Sequence, residues 1–160
     1  MWFGLILSAS LYYYFSRNVY APDASLAHLT FKSAENQQYN LDHYENQAVV
    51  VHFYAAWCGP CMKELPYLNE ASQKLNESGI TLIGLTDDDF STMRKTQDKF
   101  NIKFPLFQLE GSLRANGVPS IPTTFVLDKS GAITYSLAGV IDWNNPTILE
   151  EIISSVRKSE

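Results

Sequence analysis

Hydrophobic positions along this 160-residue chain fall into blocks of two different periods. Val49-Val50-Val51-His52-Phe53-Tyr54 is an apolar, β-branched run of the length of a buried strand. From Met62 to Leu75 the apolar residues Met62, Leu65, Leu68 and Leu75 recur with Lys63, Glu64, Asn69, Glu70 and Lys74 between them, which is a helical period. Ser78-Gly79 stops that helix, and Ile80 to Leu85 predicts a second buried strand. A helix over Phe90 to Phe100, an extended stretch from Phe104 to Leu109 and a short helical turn from Leu113 to Asn116 follow. Thr123 to Asp128 and Ala132 to Leu137 predict a hairpin around the turn sequence Asp128-Lys129-Ser130-Gly131. The last block, Pro146 to Val156, places Ile148, Leu149, Ile152, Ile153 and Val156 at helical spacing. Near the start, Leu29 to Lys32 and Gln38 to Leu41 alternate around Ser33 to Gln37, which predicts another hairpin. Strands alternating with helices, closed by a hairpin and a helix, predict an α/β fold with a mixed sheet.

Both cysteines of the chain stand where the first buried strand gives way to the first long helix, in Trp57-Cys58-Gly59-Pro60-Cys61. Pro60 suits the first turn of a helix, where its missing N–H costs nothing. Two cysteines at this spacing can bring their Cα atoms within the roughly 4.4 to 6.8 Å that a disulfide tolerates. The unpaired N–H groups and positive dipole end of the helix favour a thiolate on the first of them. Cys58 is therefore the expected nucleophile, and Cys61, one turn further in, the thiol that resolves a mixed disulfide. A lone C-x-x-C also fits half of a zinc site. Here no second pair exists and the three histidines lack metal-ligand spacing, so no metal site is expected.

With these residues in view, the chain resembles the thioredoxin superfamily, and within it the membrane-anchored TlpA/ResA-like thiol-disulfide oxidoreductases. The strand followed by Ala55-Ala56-Trp57-Cys58-Gly59-Pro60-Cys61 is similar to the superfamily's active-site signature, and Glu64 and Pro66 occupy positions of the narrower family's pattern. A second match lies in the stretch Gly117 to Gly131, where Ile121-Pro122-Thr123-Thr124-Phe125 resembles the family's cis-proline loop. The resemblance runs from about Leu29 to the C-terminus. It implies a thioredoxin-like fold with an N-terminal β-hairpin extension, a cis Ile121–Pro122 bond facing the cysteines, and dithiol-disulfide exchange through Cys58 and Cys61. It also implies protein disulfides as substrates, no cofactor beyond the redox-active cysteine pair, and re-reduction by a membrane electron donor of the DsbD/CcdA kind. Cytochrome c biogenesis is one setting in which such chemistry serves.

Composition narrows the picture only slightly. An apolar fraction of 46% is ordinary for one globular domain, and a formal charge of −5 argues against a nucleic-acid surface. The N-terminus says more. Met1 to Phe15 carries no charged side chain, and the Tyr12-Tyr13-Tyr14 cluster suits a membrane interface. Residues 1–20 are read as a single-pass anchor, 21–28 as a linker and 29–160 as the thioredoxin-like domain. A cleaved signal peptide is the main rival, with Pro22 and the missing basic n-region against it. Arg17, taken alone, would orient the anchor the wrong way. The resemblance, and not the charge rule, places the domain on the periplasmic or extracytoplasmic side of the cytoplasmic membrane, as a monomer.

Supporting residues divide between functional and structural roles. Glu64, one turn beyond Cys61, is expected to gain a raised pKa by partial burial and to move protons during exchange. His52 stands where thioredoxin has a buried acid, and is either a proton acceptor for Cys61 or a core histidine bonded to backbone, the second being preferred. The Ile121 backbone, freed by Pro122, is the candidate contact for an extended partner polypeptide. Trp57 either shields the disulfide and offers an apolar surface or packs partly buried. Pro66 is structural. Asp87-Asp88-Asp89 is read as a solvated loop with a helix N-cap in preference to a cation site. An oxidase or isomerase with the same residues, a thiol-based metal-delivery module and a thiol peroxidase are the competing functions.

Overall fold

The most apolar strand of the sequence is also the centre of the sheet. In a computed structural model, which describes residues 26–159, Ala48–Phe53 forms β3 and every one of its side chains is buried. Burial on both faces explains why the run is continuous and not alternating. The remaining strands are β1 (Thr30–Lys32), β2 (Gln38–Asn40), β4 (Ile80–Thr86), β5 (Leu106–Leu109), β6 (Thr123–Leu127) and β7 (Ile133–Ala138). They make one seven-stranded mixed sheet in the order β2-β1-β5-β4-β3-β6-β7. β3, β4 and β5 run parallel, whereas β1, β6 and β7 each join antiparallel to a neighbour. The N-terminal hairpin expected from the alternation is present as β1–β2, with Asn36 left-handed in its turn, and it extends the sheet through β5. Phe31, Tyr39 and Phe107 close that junction, the Phe31 and Phe107 ring centroids 5.0 Å apart.

Three helices cover the sheet: α1 (Gly59–Glu77), α2 (Phe90–Phe100) and α3 (Pro146–Arg157). α1 begins three residues earlier than the apolar period indicates, because Cys58 and Pro60 serve as its cap and first turn. Its buried stripe is Cys61, Glu64, Leu65, Leu68, Ala71, Ser72 and Leu75. Gly79, left-handed at φ 76°, then releases the chain into β4. Gly84 in β4 is a forced glycine of another kind. A Cβ there would stand 2.6 Å from Leu106 Cδ2 and 3.3 Å from the Phe104 and Tyr54 rings, so a larger residue would have to displace buried side chains.

Leu26–His28 forms a 3-10 turn whose Leu26 is buried against the domain, so packed structure begins ahead of the Leu29 boundary. The expected membrane anchor over residues 1–20, and linker residues 21–25, lie outside the described residues.

Candidate active site

The site forms where β3 delivers the chain to α1. Beyond Phe53, the loop from Tyr54 to Trp57 leaves Cys58 as the N-cap residue of α1. Cys58 and Cys61 are joined by a disulfide with Cα atoms 5.3 Å apart, and the Cys61 N–H donates to Cys58 Sγ at 3.2 Å. One turn of helix thus holds both sulfurs and aims a free N–H at the first. Access is unequal: Cys61 is wholly buried, whereas Cys58 keeps 5% of its surface and is bordered by exposed Trp57, Gly59 and Pro60. That asymmetry leaves Cys58 the more accessible of the two sulfurs.

Trp57 is 74% exposed and so does not take the partly buried packing role. Gly59 has open space around the position a Cβ would take and no left-handed φ. Nothing within the chain itself demands glycine there.

The second motif arrives through sheet pairing. Thr123 of β6 pairs with Phe53 of β3, so residues 121–122 lie off the same end of the sheet as the cysteines. The Ile121–Pro122 bond is cis, as the resemblance implies, with Pro122 buried and Ile121 half-buried. The Pro122 carbonyl accepts from Gly139 N–H at 2.8 Å, which ties this loop to the one after β7.

Glu64 is buried, with 2% of its surface exposed. Its Oε1 accepts from the Ile141 N–H at 2.6 Å and from the Trp143 indole N–H at 3.2 Å. Oε2 has no hydrogen-bond partner among the described residues. Burial pushes the carboxyl pKa up to about 7, and the two N–H donors, which favour the charged form, only partly oppose it. A proton acceptor poised near neutrality is the kind a buried thiol requires.

His52 behaves differently. It is fully buried, its Nδ1 lies 3.0 Å from Thr124 Oγ1, and its ring meets Trp143 edge-on at 6.3 Å. Burial lowers its pKa to about 3, so the ring is neutral at physiological pH. The expected backbone partner is corrected: the ring pairs with the hydroxyl of its cross-strand neighbour and not with a backbone group.

The three aspartates also need correcting, since two of them reach beyond their own loop. Asp89 caps α2 by accepting from Thr92 N–H at 2.7 Å, as expected. Asp87 accepts from Leu113 N–H at 3.0 Å. Asp88 accepts from Ala56 N–H at 2.7 Å and from the Thr86 hydroxyl at 2.9 Å, and so ties Ala56, two residues before Cys58, to the end of β4. Asp88, Ile141 and Trp143 are the site-supporting residues that periodicity and motifs missed. The one signal available was an acidic residue just past the end of a buried parallel strand, where sites of open α/β sheets form. Among the described residues, no group of three or more His, Cys, Asp or Glu side chains is placed to hold a metal ion.

Sheet order, helix-capping cysteine pair and cis-proline loop together define a thioredoxin-like domain built around a C-x-x-C disulfide. The chain belongs to the AhpC/TSA family, whose profile matches residues 19–136. It is 32% identical over 108 residues to the thiol-disulfide oxidoreductase ResA of Bacillus thuringiensis, a match covering 66% of this chain and 62% of that protein. The chain thus spans less than two thirds of the length of that relative. In structure it is similar to a Chlorobium tepidum protein described as a thiol:disulfide interchange protein DsbE, at TM-score 0.71 and 20% identity over 83% of this chain and 96% of that one. It is likewise similar to StoA from Bacillus subtilis, at TM-score 0.63 and 21% identity over 79% of this chain and 97% of that one.

Proposed function

We propose that the protein is a thiol-disulfide oxidoreductase that reduces disulfides of extracytoplasmic proteins, tethered to the cytoplasmic membrane by residues 1–20. The observation that carries this reading is the Cys58–Cys61 disulfide across the first turn of α1, with Cys61 sealed and a buried carboxyl three residues further on. In the reduced enzyme the Cys58 thiolate attacks a substrate disulfide, forming a mixed disulfide and expelling the first substrate thiolate. Cys61 loses its proton, attacks Cys58 Sγ and expels the second. Two electrons pass to the substrate, and a membrane electron donor of the DsbD/CcdA kind restores the dithiol.

The reducing direction is supported by Gly-Pro between the cysteines, shared with thioredoxin, whose potential is about −270 mV against about −120 mV for the oxidant DsbA. Exposed Trp57 next to Cys58 and half-buried Ile121 off the same end of the sheet suit an extended polypeptide partner.

Cys61→Ser in the native membrane tests the assignment. Substrates are expected to accumulate on Cys58 as mixed disulfides that dithiothreitol releases, and Cys58→Ser to trap none. Insulin reduction compared with refolding of scrambled ribonuclease then separates reductase from isomerase. A measured potential near that of DsbA would overturn the reducing direction.

A further inference from the structure

The loop between β7 and α3, residues 139–145, carries no motif, yet it closes over the site from behind. Ile141 and Trp143 are both buried, and their two N–H groups converge on a single oxygen of Glu64, at 2.6 and 3.2 Å. Two donors on Oε1 stabilise negative charge there and make it the weaker base of the pair. Oε2, which receives no hydrogen bond among the described residues, is left as the oxygen that takes a proton. Glu64 also follows Cys61 by three residues on α1, so the two side chains share one face of the helix.

We propose that Trp143 is a positioning residue for exchange: with the Ile141 amide it pins Oε1 of Glu64 and thereby presents Oε2 to the thiol of Cys61. This rests on the reading of Cys58 and Cys61 as an exchanging pair. In the resolving step Oε2 takes the proton of the Cys61 thiol, and the Cys61 sulfur attacks Cys58 Sγ. The Cys58–substrate bond breaks as the Cys58–Cys61 bond forms. The substrate sulfur leaves with the electron pair and is protonated from solvent, to which Glu64 then returns its own proton.

The surroundings make Glu64's titration separable from others. Lys63 on α1 and Asp142 on the loop are both exposed, and Asp142 caps the Asn144 N–H. β4 and β6 offer no titratable side chain, and His52 on β3, across the Trp143 ring, is neutral. In the oxidised protein the cysteines do not titrate at all, which leaves Glu64, among the described residues in contact with Trp143, as the group that changes charge near pH 7.

The test uses the full chain in detergent micelles. In the oxidised wild type the Trp143 indole ¹⁵N–¹H resonance should titrate with the same midpoint as the Glu64 side-chain carboxyl, and it should not move in Glu64→Gln. Trp143→Phe should raise that midpoint by about one pH unit, since a hydrogen bond to a charged group is worth roughly 1.5 kcal/mol and one unit is about 1.4 kcal/mol. The rising limb of the pH–rate profile for mixed-disulfide resolution should move with it. A Trp143 resonance that stays flat through the Glu64 titration overturns the proposal, and that measurement needs no substitution. An altered profile in Glu64→Gln with an unmoved one in Trp143→Phe removes the role of Trp143 and leaves the exchange reading standing. If Cys61→Ser traps no partner, it is the exchange reading that falls.

Discussion

Two buried ionisable groups meet Trp143 from different regions of the fold, and burial has opposite consequences for them. Glu64 sits on the helix side, where a loop supplies two N–H donors to one oxygen. His52 sits in the middle of the sheet, with one hydroxyl as partner and Nε2 unpaired among the described residues. Both are desolvated, but desolvation raises a carboxyl toward neutrality and drives an imidazole away from it. Glu64 ends near 7 and is chemically available, whereas His52 ends near 3 and is locked neutral. Burial beside Trp143 is therefore not enough to make a proton acceptor. The group must also change charge in the working pH range, and here only the residue on the helix side does.

The largest expected break in this contrast is Glu64→Gln, which keeps an acceptor for both N–H donors and removes the titration. Resolution of the mixed disulfide at pH 7 should slow by about 100-fold, the scale of a lost general base, in single-turnover kinetics. Stability should move the other way. Because folding raises the Glu64 pKa from 4.5 to about 7, its contribution is complete below pH 4.5 and is lost as pH rises through 7. Glu64→Gln should accordingly show a thermal midpoint above wild type at pH 8, with the two converging at pH 4.

His52 supplies the converse. His52→Ala should cost about 3 kcal/mol in urea denaturation by emptying a core site. It should leave the neutral-range midpoint of the rate profile where it was. Folding lowers its pKa from 6.5 to about 3, so its contribution is complete above pH 6.5 and is lost as pH falls toward 3. His52→Leu should therefore flatten the acid limb of the stability curve. A neutral-range rate midpoint that moved with His52 would erase the distinction between the two regions.

The smallest expected effect concerns Asp88, on the strand side of the cysteines. Asp88→Ala leaves the Ala56 N–H and the Thr86 hydroxyl without their acceptor, at a cost of about 1–2 kcal/mol. Asp88→Asn should restore most of this, because the amide oxygen still accepts. Denaturant midpoints of the two variants check the pair.

Much of the fold was legible because it depends on near neighbours. Continuous burial over Val49 to Tyr54 marks a two-sided central strand, and α2 has the residue limits its pattern implies, with Asp89 as cap. The cysteine pair belongs to the same category, since residues 58 and 61 meet within one helical turn whatever the remainder of the chain does. Glu64 was legible by resemblance, and its burial and pKa follow the expectation. What lay out of reach depends on residues distant in the chain. Ile141 and Trp143 meet Glu64 across separations of 77 and 79 residues, and Asp88 meets Ala56 across 32. No period or cap signal spans such distances.

By itself, then, the sequence determined the strand–helix junction and the two sulfurs on it, because backbone periodicity and helix capping are local forces, while the cis-proline loop was legible only through the resemblance. Tertiary structure alone decided which buried group can handle a proton. Glu64 and His52 acquire their opposite behaviour only from what packs around them, and that depends on the loop after β7, distant in sequence, packing against α1.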